Sequence, residues 1–74
     1  MKLKDIKIDE EAIIKKISCL EPLKSRLFGL GIVKGVKIKV LKHTLAKGTF
    51  EILVENARVA IRKEEAECIE VEKI

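Results

Sequence analysis

Two stretches of alternating side chains, separated by five residues, constrain this chain more than anything else in it. In VKIKVLKH, Val36, Ile38 and Val40 alternate with Lys37, Lys39 and Leu41; in TFEILVEN, Phe50, Ile52 and Val54 alternate with Glu51, Leu53 and Glu55. A period of two sends successive side chains to opposite faces of a strand, so each run can bury one face and keep the other in water. TLAKG, ending in Gly48, is a connection of hairpin length. Lysines on one strand and glutamates on the next favour an antiparallel register, although each exposed pair adds only about 0.2–1 kcal/mol. Leu53 is an apolar residue on the polar face.

The alternation extends beyond this hairpin. NARVAIR reads as a tight turn at Asn56 and Ala57 and a third strand with Val59 and Ile61 inward, where small Ala60 between Arg58 and Arg62 points to close packing. KEEAE makes one acidic helical turn, with Glu64 and Glu65 where the helix dipole favours negative charge. As surface helix formers Glu64, Glu65 and Glu67 are fully explained. CIEVEKI is a final strand with Ile69 and Val71 on one side, and AIIKKIS, Ala12 to Ser18, is an Ile-rich strand near the start.

Between the first strand and the hairpin the period changes. In EPLKSRLFGLG, Leu23, Leu27 and Leu30 recur at i, i+4 and i+7, one narrow stripe of a helix. Pro22 suits the first helical position, and Gly31 stands where a left-handed residue closes the helix. About two and a half turns hold only if the leucine stripe is buried. Phe28 falls well off the stripe and is either covered by another part of the fold or open to a partner. The expected fold is mainly β: one domain over residues 1–74, a small SH3-like barrel of about five antiparallel strands. It has one short helix after the first strand and one helical turn before the last, and closing the sheet would remove its edges.

Several kinds of chemistry are excluded. Gly29, Gly31 and Gly35 form G-x-G-x-x-x-G, but a helix precedes them and a strand follows, so carbonyls face the loop where a phosphate site needs free N–H groups. His43 has no local spacing to a carboxylate or cysteine, and nothing resembles a nucleophile with its base, so no catalytic residues are expected. Cys19 and Cys68 lack Cys-x-x-Cys spacing; each reads as a small buried hydrophobe or free thiol, and neither a disulfide framework nor a metal site is expected. The charges, 16 basic and 12 acidic, are interspersed, and the two aromatics, Phe28 and Phe50, offer no stacking platform for nucleic acid. No segment has the character of a signal peptide or a membrane span, so a cytoplasmic protein is expected.

SRLFGLGIVKGVKIKV resembles the R-L-x-x-L-G-[LI]-x-P-G-x-x-[IV]-x-V pattern of the FeoA family, small cytosolic proteins that accompany the ferrous iron transporter FeoB. VAIRKEEAECIEV is similar to the second hallmark of that family, and LKDIKIDEEAIIKKI to its first strand region. Lys34 stands where the family usually has Pro, Asn56 and Ala57 where a glycine-type turn is often found, and the first strand lacks the glycines common there.

The resemblance implies an SH3-like barrel and a part in ferrous iron transport, through contact with the cytosolic G-protein domain of the FeoB-type permease. In this sequence Arg26, Leu27, Leu30 and Gly31 match the first pattern, and Ala60, Arg62, Glu65 and Ala66 the second. The residues expected to bind the partner are Lys24, Arg26, Leu27 and Phe28, with no cofactor and no nucleic acid. Association with the inner face of the membrane would run through that partner, and exposed strand edges leave room for a homodimer. A competing reading is an SH3-like nucleic-acid-associated or iron-dependent-regulator module. A third is direct transition metal ion binding, as a carrier or sensor drawing on Cys19, His43 and Cys68.

Overall fold

The computed structural model describes residues 1–44 and 46–74; Leu45, within the TLAKG connection, lies outside the described residues. A 3-10 turn at Leu3–Asp5 leads into β1 (Glu11–Ile17). There follow α1 (Leu23–Gly29), β2 (Lys37–His43), β3 (Thr49–Val54), β4 (Ala57–Arg62), α2 (Lys63–Glu67) and β5 (Ile69–Lys73). Among the described residues the five strands form one antiparallel sheet in the order β4-β3-β2-β1-β5. The extents of the molecule, 27 × 24 × 22 Å, are nearly equal, in keeping with a sheet coiled around one core.

The alternation maps onto that core. Ile38 and Val40 of β2 and Phe50, Ile52 and Val54 of β3 are buried, joined by Ile61 of β4 and by Ile69 and Val71 of β5. The anticipated cross-strand charge pairing is partial. Lys42 reaches Glu51 at 3.6 Å, but Lys37 turns to Glu11 of β1 at 3.5 Å, and Glu51 also accepts from Arg58 at 2.8 Å. Lys39 sits opposite Leu53 across the β2–β3 ladder, and Leu53 is half-buried there. The turn into β4 falls at Glu55 and Asn56, one residue earlier than expected, with Glu55 in the left-handed region at φ +57°.

Each long strand carries one extra residue. The register steps from Ile14↔Val71 to Lys16↔Glu70, leaving Lys15 unpaired, and from Val40↔Ile52 to Lys42↔Glu51, leaving Leu41 unpaired. Such bulges sharpen local twist and bend, which lets short strands curl over a small core. Curling stops short of the expected complete closure. The terminal strands β4 and β5 do not pair with each other among the described residues. The N-terminal residues run along the outer side of β5, where the Val71 N–H donates to the Met1 carbonyl at 2.8 Å and Lys2 bridges Glu70. That segment also brings in Leu3 and Ile6, both buried, which no periodic pattern had marked.

Two other expectations are corrected. Cys19 and Cys68 are joined as a disulfide with Cα atoms 5.0 Å apart, not left as separate thiols. They are 49 positions apart in sequence, and β1 and β5 bring them together: Ile17 faces Ile69, and the Ser18 N–H donates to the Cys68 carbonyl at 2.7 Å. A pairing set by the last strand on the first has no local spacing to announce it. Glu65, expected on the surface, is fully buried at 0% exposure.

Two outcomes follow. Reducing the Cys19–Cys68 bridge, or replacing both residues with Ser, is expected to destabilise the fold by about 2–4 kcal/mol, because the bridge closes a long loop in the unfolded chain; urea unfolding with and without a thiol reductant measures it. At the end of α1, Gly31 adopts φ +84° with no heavy atom close enough to a Cβ to clash, and Gly29 is helical and equally unobstructed. Gly31→Ala should therefore cost about 1 kcal/mol from the backbone alone, while Gly29→Ala should stabilise by about 0.5 kcal/mol.

Candidate docking surface

The first pattern lies on α1, a helix of only seven residues that survives because both ends are tied. At its start the Glu21 carboxylate accepts from the Ser25 hydroxyl at 2.6 Å and the Ser25 N–H at 3.0 Å. Those two bonds hold the Glu21 carboxyl below the usual glutamate range. Pro22 occupies the cap rather than the first helical position, a shift of one residue. At its end the Gly31 N–H donates to Phe28 and the Ile32 N–H to Leu27, both at 3.0 Å. This is a Schellman closure with left-handed Gly31 at its turning point, and its hydrophobic pair is Leu27 and Ile32, both fully buried.

Fixing Leu27 inward fixes what its neighbours face. Of the four residues expected at the partner surface, Leu27 is wholly in the core and can only position the others. Leu30 of the same stripe is half-buried. Lys24 is exposed, and Phe28 is 72% exposed. Arg26, 47% exposed, points across the gap beside β4: its Nη1 pairs with the buried Glu65 Oε2, and its Nη2 lies 3.4 Å from the Ala60 carbonyl. The second Glu65 oxygen accepts from the Arg62 N–H at 2.8 Å, tying the start of α2. The Cys68 and Cys19 sulfurs lie 3.4 and 4.0 Å from the Glu65 carbonyl oxygen, so the disulfide packs beneath the same residue. Ala60 is exposed, and its contribution is its carbonyl rather than its small side chain.

Beside α1 lies a shallow groove of about 400 Å³. Phe28 and Lys24 form one wall, Lys15, Lys16 and Ile17 of β1 the other, and Val33 and Lys34 from the turn into β2 close the end. The sequence pointed to Lys24 and Phe28 but not to the rest. The available signal was the pair Lys15 and Lys16 inside an apolar strand, which the bulge at Lys15 explains: the extra residue lets both lysines face solvent. His43 lies at the other end of the sheet, its ring 5.8 Å from that of Phe50, and the two cysteines are bonded to each other. Among the described residues no three His, Cys, Asp or Glu side chains come together as a metal site.

A family model described as the FeoA domain matches residues 1–73. A Campylobacter jejuni protein carrying the name Fe(2+) transport protein A is 31% identical over 74 residues, covering all of both chains. The solution structure of a FeoA protein from Chlorobium tepidum superposes with a TM-score of 0.92 at 30% identity, covering all of this chain and 70% of that one. A Stenotrophomonas maltophilia FeoA, crystallised with zinc and described as a procaryotic SH3 domain protein, gives 0.84 at 25% identity, over 97% of this chain and 89% of its own. The SH3-like architecture expected from the sequence holds, with its sheet left open between β4 and β5.

Arg26 lies in the first of the two stretches that matched the family pattern, and Glu65 in the second. Removing the cation from a buried carboxylate is costly, so Arg26→Met should destabilise the protein by about 3 kcal/mol, the lower end for a buried pair because Arg26 is half in water. In a Glu65→Gln background, which still accepts the Arg62 N–H, the same change should cost under about 1 kcal/mol. A double-mutant cycle by chemical denaturation measures the difference.

Proposed function

The chain belongs to the FeoA family, and on that premise we propose that it is an accessory protein of ferrous iron uptake that works by docking on the cytosolic G domain of a FeoB-type permease. The observation that carries this reading is Phe28, a large aromatic side chain held 72% in water by a helix whose other face is locked into the core. An exposed aromatic on a fixed element costs little ordering entropy when a partner covers it, and aromatic side chains dominate interface energetics. The names of its relatives supply the process, Fe(2+) transport. In this reading the nucleotide belongs to the permease, in line with a glycine stretch here that closes a helix instead of cradling phosphate. No helix among the described residues is long and apolar enough to cross a membrane; in this reading, association with one runs through the permease.

Purified permease G domain should retain the wild-type protein on a pull-down column, and Phe28→Glu should reduce retention at least about tenfold, the loss of one aromatic anchor. Phe28 is outside the core, so the variant should keep its unfolding midpoint. Equal retention of the two proteins, or none of the wild type, would overturn the assignment.

A further inference from the structure

We propose that the groove between α1 and β1 receives an acidic peptide segment that inserts a large apolar side chain against Phe28. This deepens the permease reading by naming the chemistry of the contact, and rests on that reading only for who supplies the segment.

The lining carries four lysines and no carboxylate, as many positive charges as the formal net charge of the whole chain, +4. Lys15 has a partner in Glu72 at 3.7 Å, with both side chains in water. Among the described residues Lys16, Lys24 and Lys34 take part in no ion pair. The nearest acids are occupied elsewhere, Glu70 by the Ser18 hydroxyl and Lys2, Glu21 by Ser25. Carboxylates from a partner would therefore meet ammonium groups of which three have no ion-pair partner among the described residues, set around an apolar floor, where complementarity gives both steering and register.

Two features select a peptide over other polyanions. The four ammonium groups would take a phosphate as readily as a carboxylate, but between them the surface is Phe28, Ile17 and Val33, with no Asn, Gln, Ser, Thr or Arg to read a base edge, and that apolar floor suits a peptide carrying a large apolar side chain. On the β2 side, moreover, the last backbone bonds of β1 are those of Ile14 with Val36 and Gly35; beyond it β1 pairs only with β5 among the described residues, which leaves a short edge at Ile17, one of the residues lining the groove. An extended segment can add its own backbone to such an edge while alternate side chains meet the lysines and the apolar floor.

The test is a titration of the 15N-labelled full chain with the peptide EDDFEELDDE, followed by amide shifts. Saturable shifts at Lys15–Ile17, Lys24, Phe28, Val33 and Lys34, with Kd below about 1 mM, are expected. The apolar-free peptide EDDSEESDDE and the charge-reversed KRRFKKLRRK should give none. K24E/K34E and Phe28→Ala should each weaken binding about tenfold or more, and K63E, away from the groove, should not. Shifts elsewhere or nowhere would overturn the proposal. So would tighter engagement of the groove by oligo(dT) or by vesicles of phosphatidylserine and phosphatidylcholine than by the peptide. Peptide binding without permease retention would remove the permease reading alone, and permease retention without peptide binding would remove this one alone.

Discussion

A glutamate at the bottom of a small protein has to be answered by a cation, and the Arg26–Glu65 pair organises much of what surrounds it. Its carboxylate takes the Arg62 N–H on one oxygen and the Arg26 guanidinium on the other, so a single buried charge fixes the start of α2 and the flank of α1 together. The second guanidinium nitrogen reaches the Ala60 carbonyl on the unpaired side of β4. Desolvation makes such a pair a poor source of net stability, but it is highly selective, since any arrangement that separates the partners strands a charge. Among the described residues β4 and β5 do not pair by hydrogen bonds, and α2, held by this ion pair, links the one to the other along the chain. The disulfide lies against the same glutamate and ties β1 to the start of β5.

Local patterns told the truth about local matters. Alternation in β2 and β3 named buried Ile38, Val40, Phe50, Ile52 and Val54, and the leucine stripe with its closing glycine placed α1 and set Phe28 off its buried side; whether another element covers Phe28 only the structure answers. Glu65 was read as solvated because an acidic helical turn explains it locally, and its partner lies 39 positions away on another element. The cysteines failed for the same reason, being joined only by the register of β5 on β1. Leu3 and Ile6 sit in a segment too short and irregular to show a period. The groove was half legible: Phe28 and Lys24 come from a helix whose faces can be counted, whereas Lys15 and Lys16 turn outward together only because of a bulge that alternation cannot reveal.

The two stretches that resemble the FeoA patterns thus serve different ends from those a motif invites. Arg26, Leu27, Gly31 and Glu65 build and lock the scaffold, Leu27 and Glu65 from within the core, Gly31 at the end of α1 and Arg26 from its edge. In the proposed mode of docking, partner contact falls to residues beside them, Phe28 and the lysines of the groove, which lie outside the buried core. That separation lets the contact surface change its preferences while the barrel stays the same.

The position of β5 has a kinetic side. β2, β3 and β4 are neighbours in both sequence and space, so their meander can assemble as soon as it is synthesised. The first strand, in contrast, meets one neighbour early, in β2, and the other only in β5, since Ala12 faces Ile38 on one side and Lys73 on the other. Loop closure over nearly the whole chain comes before the contacts with β5 can form, which sets a high contact order for so small a protein. Until Ile69–Lys73 has been synthesised, one edge of β1 therefore stays open, and the first strand of the sheet is completed by the last.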